Sequence, residues 1–289
     1  MKKIIALILV LVMALGLFAA CGAETETPDN TETKNKETTA ETTEDTTEEE
    51  PSEATTDVPA LTTVEEGKLI MATNAFFPPY EYYEGETIVG IDAEIAKAIA
   101  DKLGLELVIE NMEFNSIITA VTTGAADFGL AGMTVTEDRL KEVDFSISYA
   151  SGVQSVIVKD GSTITSVDDL SVEGATYKIG VQLGTTGDIY ASDEFGADRV
   201  TQYNNGNEAV LALLNGDVDC VIIDNEPANS FVAANEGLAI LEGAYAEEDY
   251  AACFAQDNDT LRDAVDKAIK ELIVDGTIDA IIEKYIPAN

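Results

Sequence analysis

Gly124-Ala125-Ala126-Asp127-Phe128-Gly129-Leu130-Ala131-Gly132-Met133-Thr134 sets the frame for the rest of the chain. A glycine closes a preceding helix, an apolar strand runs from Phe128 to Ala131, and a polar loop opens at Gly132. The same layout returns later. Gly216-Asp217-Val218-Asp219 leads from a helix into an apolar strand over Val218–Ile223, and Asp224-Asn225 follows. Both halves therefore place polar groups just past the carboxyl end of a buried strand. Open α/β sheets present their ligand sites there. Two such halves facing each other would enclose a cleft.

The flanking sequence fits this frame. Lys68 to Thr73 reads as a strand, and Ile91, Ile95, Ala98 and Ile99 recur at helical spacing until Gly104. Leu105 to Ile109 is a second strand, and Asn115 to Thr123 a short helix. This β-α-β-α-β alternation predicts a parallel sheet covered by helices. After Tyr177 the pattern restarts. A strand over Tyr177–Val181 leads to the turn Gly184-Thr185-Thr186-Gly187. A helix carrying Ala209, Val210, Leu213 and Leu214 then stops at Gly216. The chain ends in helices, with Leu261, Val265, Ala268, Ile269 and Leu272 on one face. Beyond Gly276 come Ile278, Ile281, Ile282 and Tyr285 on another.

The first sixty residues are of another kind. Met1-Lys2-Lys3 precedes an apolar run from Ile4 to Ala20, the layout of a secretory signal. Leu17-Phe18-Ala19-Ala20-Cys21-Gly22 resembles a bacterial lipobox, with Phe18 where that pattern usually has leucine. Residues 1–20 are thus expected to be a lipoprotein signal peptide, and Cys21 the lipidated residue. Residues 21–60 are Thr, Glu and Asp with almost nothing apolar, which predicts a disordered acidic tether. Its relaxed reach would be on the order of 35 Å.

The whole chain carries a formal charge of −39 and no histidine. Such acidity opposes nucleic acid and anionic surfaces, so no nucleic-acid partner is expected. The absence of histidine removes the commonest general base and metal ligand, and no cofactor or metal is called for. Cys220 and Cys253 sit in apolar, strand-like runs and read as buried thiols, a disulfide between them remaining open.

Some polar residues invite a chemical reading. Arg139, close behind Thr134 and Thr136, offers a planar fork that matches a carboxylate; a surface ion pair is the alternative. Asp224 at a strand end could accept hydrogen bonds from an ammonium, or cap the helix that starts near Glu226-Pro227. Phe76-Phe77-Pro78-Pro79-Tyr80 and Phe114 follow strands, and could wall a pocket or fill the core.

Taken together, these stretches resemble the family-3 extracellular solute-binding proteins of amino-acid importers. The matching stretches are Leu69 to Asn74 with Pro79-Tyr80-Glu81; Gly90 to Ile99; Asp127 to Arg139 with Val143-Asp144-Phe145-Ser146 and Tyr149; Gly180 to Thr186; and Asp219 to Pro227. The resemblance implies a periplasmic-binding-protein type II fold: two α/β lobes joined by two crossing hinge strands, with the ligand cleft between them. Residues 61–154 and 246–289 would form lobe 1, and 155–245 lobe 2. Carried over by position, Arg139 would clamp a ligand α-carboxylate with Thr134 and Thr186. Gly132 and Asp224 would hold the α-ammonium. Phe77 and Phe114 would flank the ligand side chain, and Asn74 and Gln182 would meet its tip.

The expected function is a lipid-anchored binding protein at the extracellular face of the bacterial membrane. It would be a monomer that passes a free amino acid to the membrane permease of an ABC importer. Asn74 stands where members that take cationic side chains are expected to have aspartate. The expected ligand is therefore neutral and polar, glutamine first, with cystine or Ser/Thr-sized ligands behind. A sensor for a membrane receptor and a dehydratase on the same fold are the alternatives; the lack of histidine and of an obvious acid pair speaks against the enzyme.

Overall fold

Residues 61–287 are described by the structure, a computed structural model. The expected signal peptide, the lipidated Cys21 and the acidic tether lie outside the described residues.

A continuous apolar run makes β1 (Lys68–Thr73), buried throughout after Lys68, as a central parallel strand covered on both faces requires. A small antiparallel sheet follows, of β2 (Phe76–Phe77), β3 (Glu81–Glu84) and β4 (Thr87–Val89). The first long helix, α1 (Ile91–Leu103), ends at Gly104 in the left-handed region. Next come β5 (Glu106–Asn111), α2 (Ile117–Thr122), β6 (Phe128–Gly129) and β7 (Val143–Phe145). A long strand, β8 (Ala150–Lys159), leads into a second set: β9 (Ile179–Gln182), α3 (Thr186–Phe195), β10 (Val200–Tyr203) and α4 (Gly206–Asn215). That set continues with β11 (Cys220–Asp224), α5 (Asn225–Ala234) and β12 (Leu238–Ile240). The chain returns along β13 (Ala246–Tyr250) and ends with β14 (Cys253–Ala255), α6 (Asp259–Val274) and α7 (Thr277–Tyr285).

Two main sheets result, one in each α/β lobe. The first runs β5-β1-β6-β14-β7, with β1 parallel to both β5 and β6. The second runs β10-β9-β11-β8-β12, with β9 parallel to β10 and β11. Two strands cross between the lobes. β8 pairs antiparallel with β13 near its start and with β11 and β12 further along. Gly152 of β8 faces Glu248 of β13. A Cβ on Gly152 would overlap the ring and hydroxyl of Tyr250, so only glycine leaves room for that ring over the crossing strand.

The helical faces read from the sequence are the buried ones. Ile91, Ile95 and Ile99 of α1 are fully buried in one apolar cluster with Leu261, Val265 and Ile269 of α6. Burying each such side chain contributes about 1.5–3 kcal/mol. Cys220 and Cys253 are buried and free, and burial pushes each thiol up to about 12.

Three expectations needed adjustment. The strand at Phe128 stops at Gly129, and Leu130 and Ala131 continue as buried loop. The Gly184–Gly187 turn is the start of α3, capped by Thr185, whose hydroxyl accepts from the Asp188 N–H. The helix beyond it has too weak an apolar stripe to announce itself. The β2-β3-β4 sheet was not read, because its strands are two to four residues long. No helix among the described residues is long and apolar enough to cross a membrane.

Gly90 joins that small sheet to α1. It has φ +126, and an added Cβ would lie 2.7 Å from the Pro79 carbonyl oxygen and nearer still to that of Tyr80. Those carbonyls accept the N–H groups of Ile91 (3.1 Å) and Asp92 (2.9 Å), so they are fixed in place. Gly90→Ala is expected to destabilise the protein by about 3 kcal/mol from backbone strain plus overpacking. Urea denaturation measures it, and an unchanged midpoint would mean that the Pro79–Tyr80 backbone yields freely.

Candidate functional site

The carboxyl ends of the parallel strands in both lobes face one cavity lined from both sides. β1 delivers Asn74, and Phe77 comes from β2. Phe114 begins the 3-10 turn after β5, while Gly132, Thr134 and Arg139 come from the segment after β6. From the other lobe, β9 delivers Gln182, α3 delivers Thr186 and β11 delivers Asp224. Every side chain expected from the resemblance to touch a ligand thus lines the same cavity. Glu81 of β3 lines it too.

One end of the cavity is cationic. Arg139 is only 7% exposed, makes no ion pair, and donates Nη1–H to Thr134 O (2.7 Å) and Nη2–H to Gly184 O (3.0 Å). The second bond crosses from one lobe to the other. The guanidinium lies over the Phe114 ring at 5.4 Å, and its remaining donors are unused. Thr134 and Thr186 stand beside it with hydroxyl oxygens 3.5 Å apart. Thr186 opens α3, whose first N–H groups have no intrahelical acceptor. A fork of N–H donors, hydroxyls and a helix N-terminus form an anion site. The surface ion pair once open for Arg139 is not what forms.

An anionic group lies beside it, linked through the two threonines. Asp224 does not cap α5, the alternative its position allowed. Its carboxylate instead accepts from Gln154 Nε2 (2.8 Å) and from the Tyr250 hydroxyl. Burial first, and then the nearby Glu248 carboxylate, hold the Asp224 carboxyl well above the usual carboxylate range. Gln154 Nε2 also donates to Glu248 Oε2 at 3.0 Å, and the Thr134 hydroxyl donates to the same oxygen at 3.0 Å. Gly132 sits between, with φ +51. A Cβ there would meet the Phe77 ring at 2.8 Å.

The lobes also touch through amides. Gln182 Nε2 donates to Asn74 Oδ1 at 2.9 Å, while Asn74 Nδ2 donates to Met112 O at 2.7 Å. Phe77 stacks on Tyr80, which meets the Tyr250 ring edge-on.

The residues that sequence reading missed are Glu81, Gln154 and Glu248. Glu81 is fully buried, and neither carboxylate oxygen has a hydrogen-bond partner within the protein's fixed donors. In the sequence it stands at the end of an aromatic-proline loop, and a glutamate opening the short strand Glu81–Glu84 carries no signal that it points inward. Gln154 and Glu248 lie on hinge strands whose pattern is too mixed to assign.

A model of the bacterial extracellular solute-binding proteins, family 3, matches residues 69–288. The chain belongs to that family. It is similar to the arginine-binding extracellular protein ArtP of Bacillus subtilis, with 36% identity over 223 residues, 75% of this chain and 86% of that protein. It is also similar to the ABC transporter glutamine-binding protein GlnH of the same organism, 29% identical over 289 residues, 99% of this chain and 98% of that one. Among solved structures, an ancestral arginine-binding protein bound to glutamine superposes with a TM-score of 0.72 at 36% identity, covering 78% of this chain and 100% of that one. The type II periplasmic-binding fold and a solute-binding rather than enzymatic family follow from these likenesses together.

Burial, the neighbouring Asp92 charge and a hydrogen bond to Asp92 raise the Glu81 carboxyl well above the usual range. A carboxyl raised on folding leaves stability intact below its unfolded value of about 4.3. It costs increasingly more as pH climbs toward the folded value. Glu81→Gln keeps a donor for Asp92 and removes that cost. The ligand-free variant should melt above the wild-type protein at pH 8, with the gap closing toward pH 4. A gap that is absent or grows toward acid pH would contradict the assignment.

Proposed function

We propose that this protein is the substrate-binding component of an amino-acid ABC importer and captures one free amino acid by closing its cleft. Residues 61–154 with 246–289 form one lobe and 155–245 the other. Cys21 carries the lipid and residues 21–60 form the tether, so the monomeric binding unit works at the extracellular face and delivers to a membrane permease. ArtP and GlnH, an arginine-binding and a glutamine-binding protein, support an amino acid as cargo.

A zwitterion fits the neighbouring cationic and anionic groups of the cavity. Arg139, with Thr134 and Thr186, takes the α-carboxylate; Asp224 and the Gly132 carbonyl take the α-ammonium. Because these groups belong to different lobes, a ligand that satisfies both has higher affinity for the closed state and shifts the population toward it. The side chain then runs between Phe77 and Phe114 toward Asn74 and Gln182.

The observation that carries the choice of side chain is Glu81, a fully buried carboxyl in the cavity without a fixed partner. The neutral-polar expectation weighed only Asn74 and Gln182. Glu81 supplies the counter-charge that Asn74 lacks, and the two aromatic rings suit a flat cation. We therefore assign a cationic side chain as preferred, arginine first. Glutamine is the second ligand, favoured by the Asn74–Gln182 amides and by the glutamine held in an ancestral arginine-binding protein.

Thermal unfolding against the twenty amino acids and cystine tests this, since a ligand that binds only the folded state raises the melting temperature. Arginine should give the largest shift; a larger shift with a neutral amino acid would return the cavity to the neutral-polar reading. Arg139→Ala and Asp224→Ala should each weaken binding by about 2–5 kcal/mol, roughly thirty-fold to several-thousand-fold in Kd. Calorimetric titration checks this, and affinity near wild type in either variant would remove that residue from the site.

A further inference from the structure

Behind the side-chain end of the cavity lies a second carboxyl. Asp92, in the first turn of α1, is fully buried. Its Oδ2 accepts from the Gly132 N–H at 2.8 Å and from the Tyr149 hydroxyl at 2.8 Å. Its Oδ1 has no such partner, and neither oxygen of Glu81 has one. The two side chains lie within hydrogen-bonding reach of each other. Two dry carboxyls whose free oxygens face each other cannot both be ionised without a large repulsive cost; a single shared proton removes it.

The surroundings decide where that proton sits. Asp92 already has two donors, so it is the better anion. Glu81 has none, and is left to hold the proton and donate it to Asp92 Oδ1. The other groups facing the pair are acidic or neutral: Tyr80 beside Glu81, Tyr149 before β8, and Asp224 of β11, with Glu226 of α5 behind Tyr80. Arg139 is the one cation among the cavity-lining residues, and it is engaged by the Thr134 and Gly184 carbonyls at the other end. Burial raises Asp92 only to about 6, because Gly132 and Tyr149 oppose it, whereas Glu81 goes well above.

We propose that Asp92 is a positioning residue that keeps Glu81 protonated in the empty cleft, so that Glu81 selects between two classes of ligand by its proton. With the proton, Glu81 is a neutral hydrogen-bonding group suited to an amide side chain. Without it, Glu81 is a carboxylate suited to a guanidinium. A cationic ligand therefore binds by exchange: the guanidinium enters, the Glu81 O–H bond breaks, and the proton leaves to solvent. A neutral amide enters with the proton retained. This rests on the reading of the cavity as an amino-acid site with Glu81 at the side-chain end.

Calorimetry of the purified chain with L-arginine and with L-glutamine, in buffers of different ionisation enthalpy, counts the protons directly. Near pH 7 arginine should release up to about one proton per site, and glutamine close to none. Arginine affinity should rise by up to about tenfold per pH unit between pH 5 and 7 while glutamine affinity stays level, so the ratio of the two changes with pH. In Asp92→Asn the negative neighbour is gone, so Glu81 gives up its proton at lower pH; both the proton release near pH 7 and the pH slope should shrink while arginine still binds. A merely structural role for Asp92 would weaken both ligands alike and leave the proton count untouched. Should Asp92→Asn fail to fold, the wild-type proton counts alone decide. Arginine bound without proton release, at an arginine-to-glutamine ratio independent of pH, overturns the proposal and leaves the binding site intact. A protein that binds other amino acids but not arginine overturns the cation reading and the proposal with it.

Discussion

In and behind the cleft, four carboxyl side chains are buried where the cavity lining holds a single guanidinium. Glu81, Asp92, Asp224 and Glu248 make no ion pair with it, and Arg139 is held by carbonyls instead. Buried charge without a partner is costly, and a protein has three ways to relieve it: neutral donors, shared protons, or a ligand. All three are visible here. The Gln154 amide serves Asp224 and Glu248 together; Glu81 leans on Asp92; and the remaining deficit is positive charge at one end of a cavity lined by both lobes. The stability of the empty protein and its affinity for cargo are then set by the same uncompensated groups, and improving one costs the other.

The hinge strands bring these groups together. β8 carries Gln154, and β13 carries Glu248 and Tyr250. Their antiparallel pairing places all three beside Asp224 at the end of β11. Thr134 joins the same network from the first lobe through Glu248. A hydrogen-bonded chain of this kind couples lobe orientation to cleft chemistry, since Thr134 and Asp224 keep common partners only when the lobes approach.

Much of the fold was legible because its strongest signals are local. The helix faces at Ile91–Ile99 and Leu261–Leu272 repeat at helical spacing, and Gly104 and Gly216 mark helix ends by the left-handed conformation that glycine adopts more easily than any other residue. What was not legible depended on long-range pairing. β2 and β3 are short strands that form through each other, and α3 relies on its Thr185 cap more than on an apolar stripe. The site divides the same way. Residues in the stretches that resemble the family, such as Arg139, Thr186 and Asp224, could be assigned to the cavity lining by position. The Glu81 carboxyl could not: it reads as one more acid in a chain with 55 of them, and only tertiary burial singles it out.

The close approach of Gly152 to the Tyr250 ring has a mechanical side. The ring closes over the point where the two strands that join the lobes run side by side, and it fills the space there. Tyr250 and Gln154 both hold Asp224, so the anionic group of the cavity is braced by the crossing strands themselves. The Asn74–Gln182 contact is made between the arms. One carboxyl of the cavity thus belongs to the hinge as much as to the lobe that carries it.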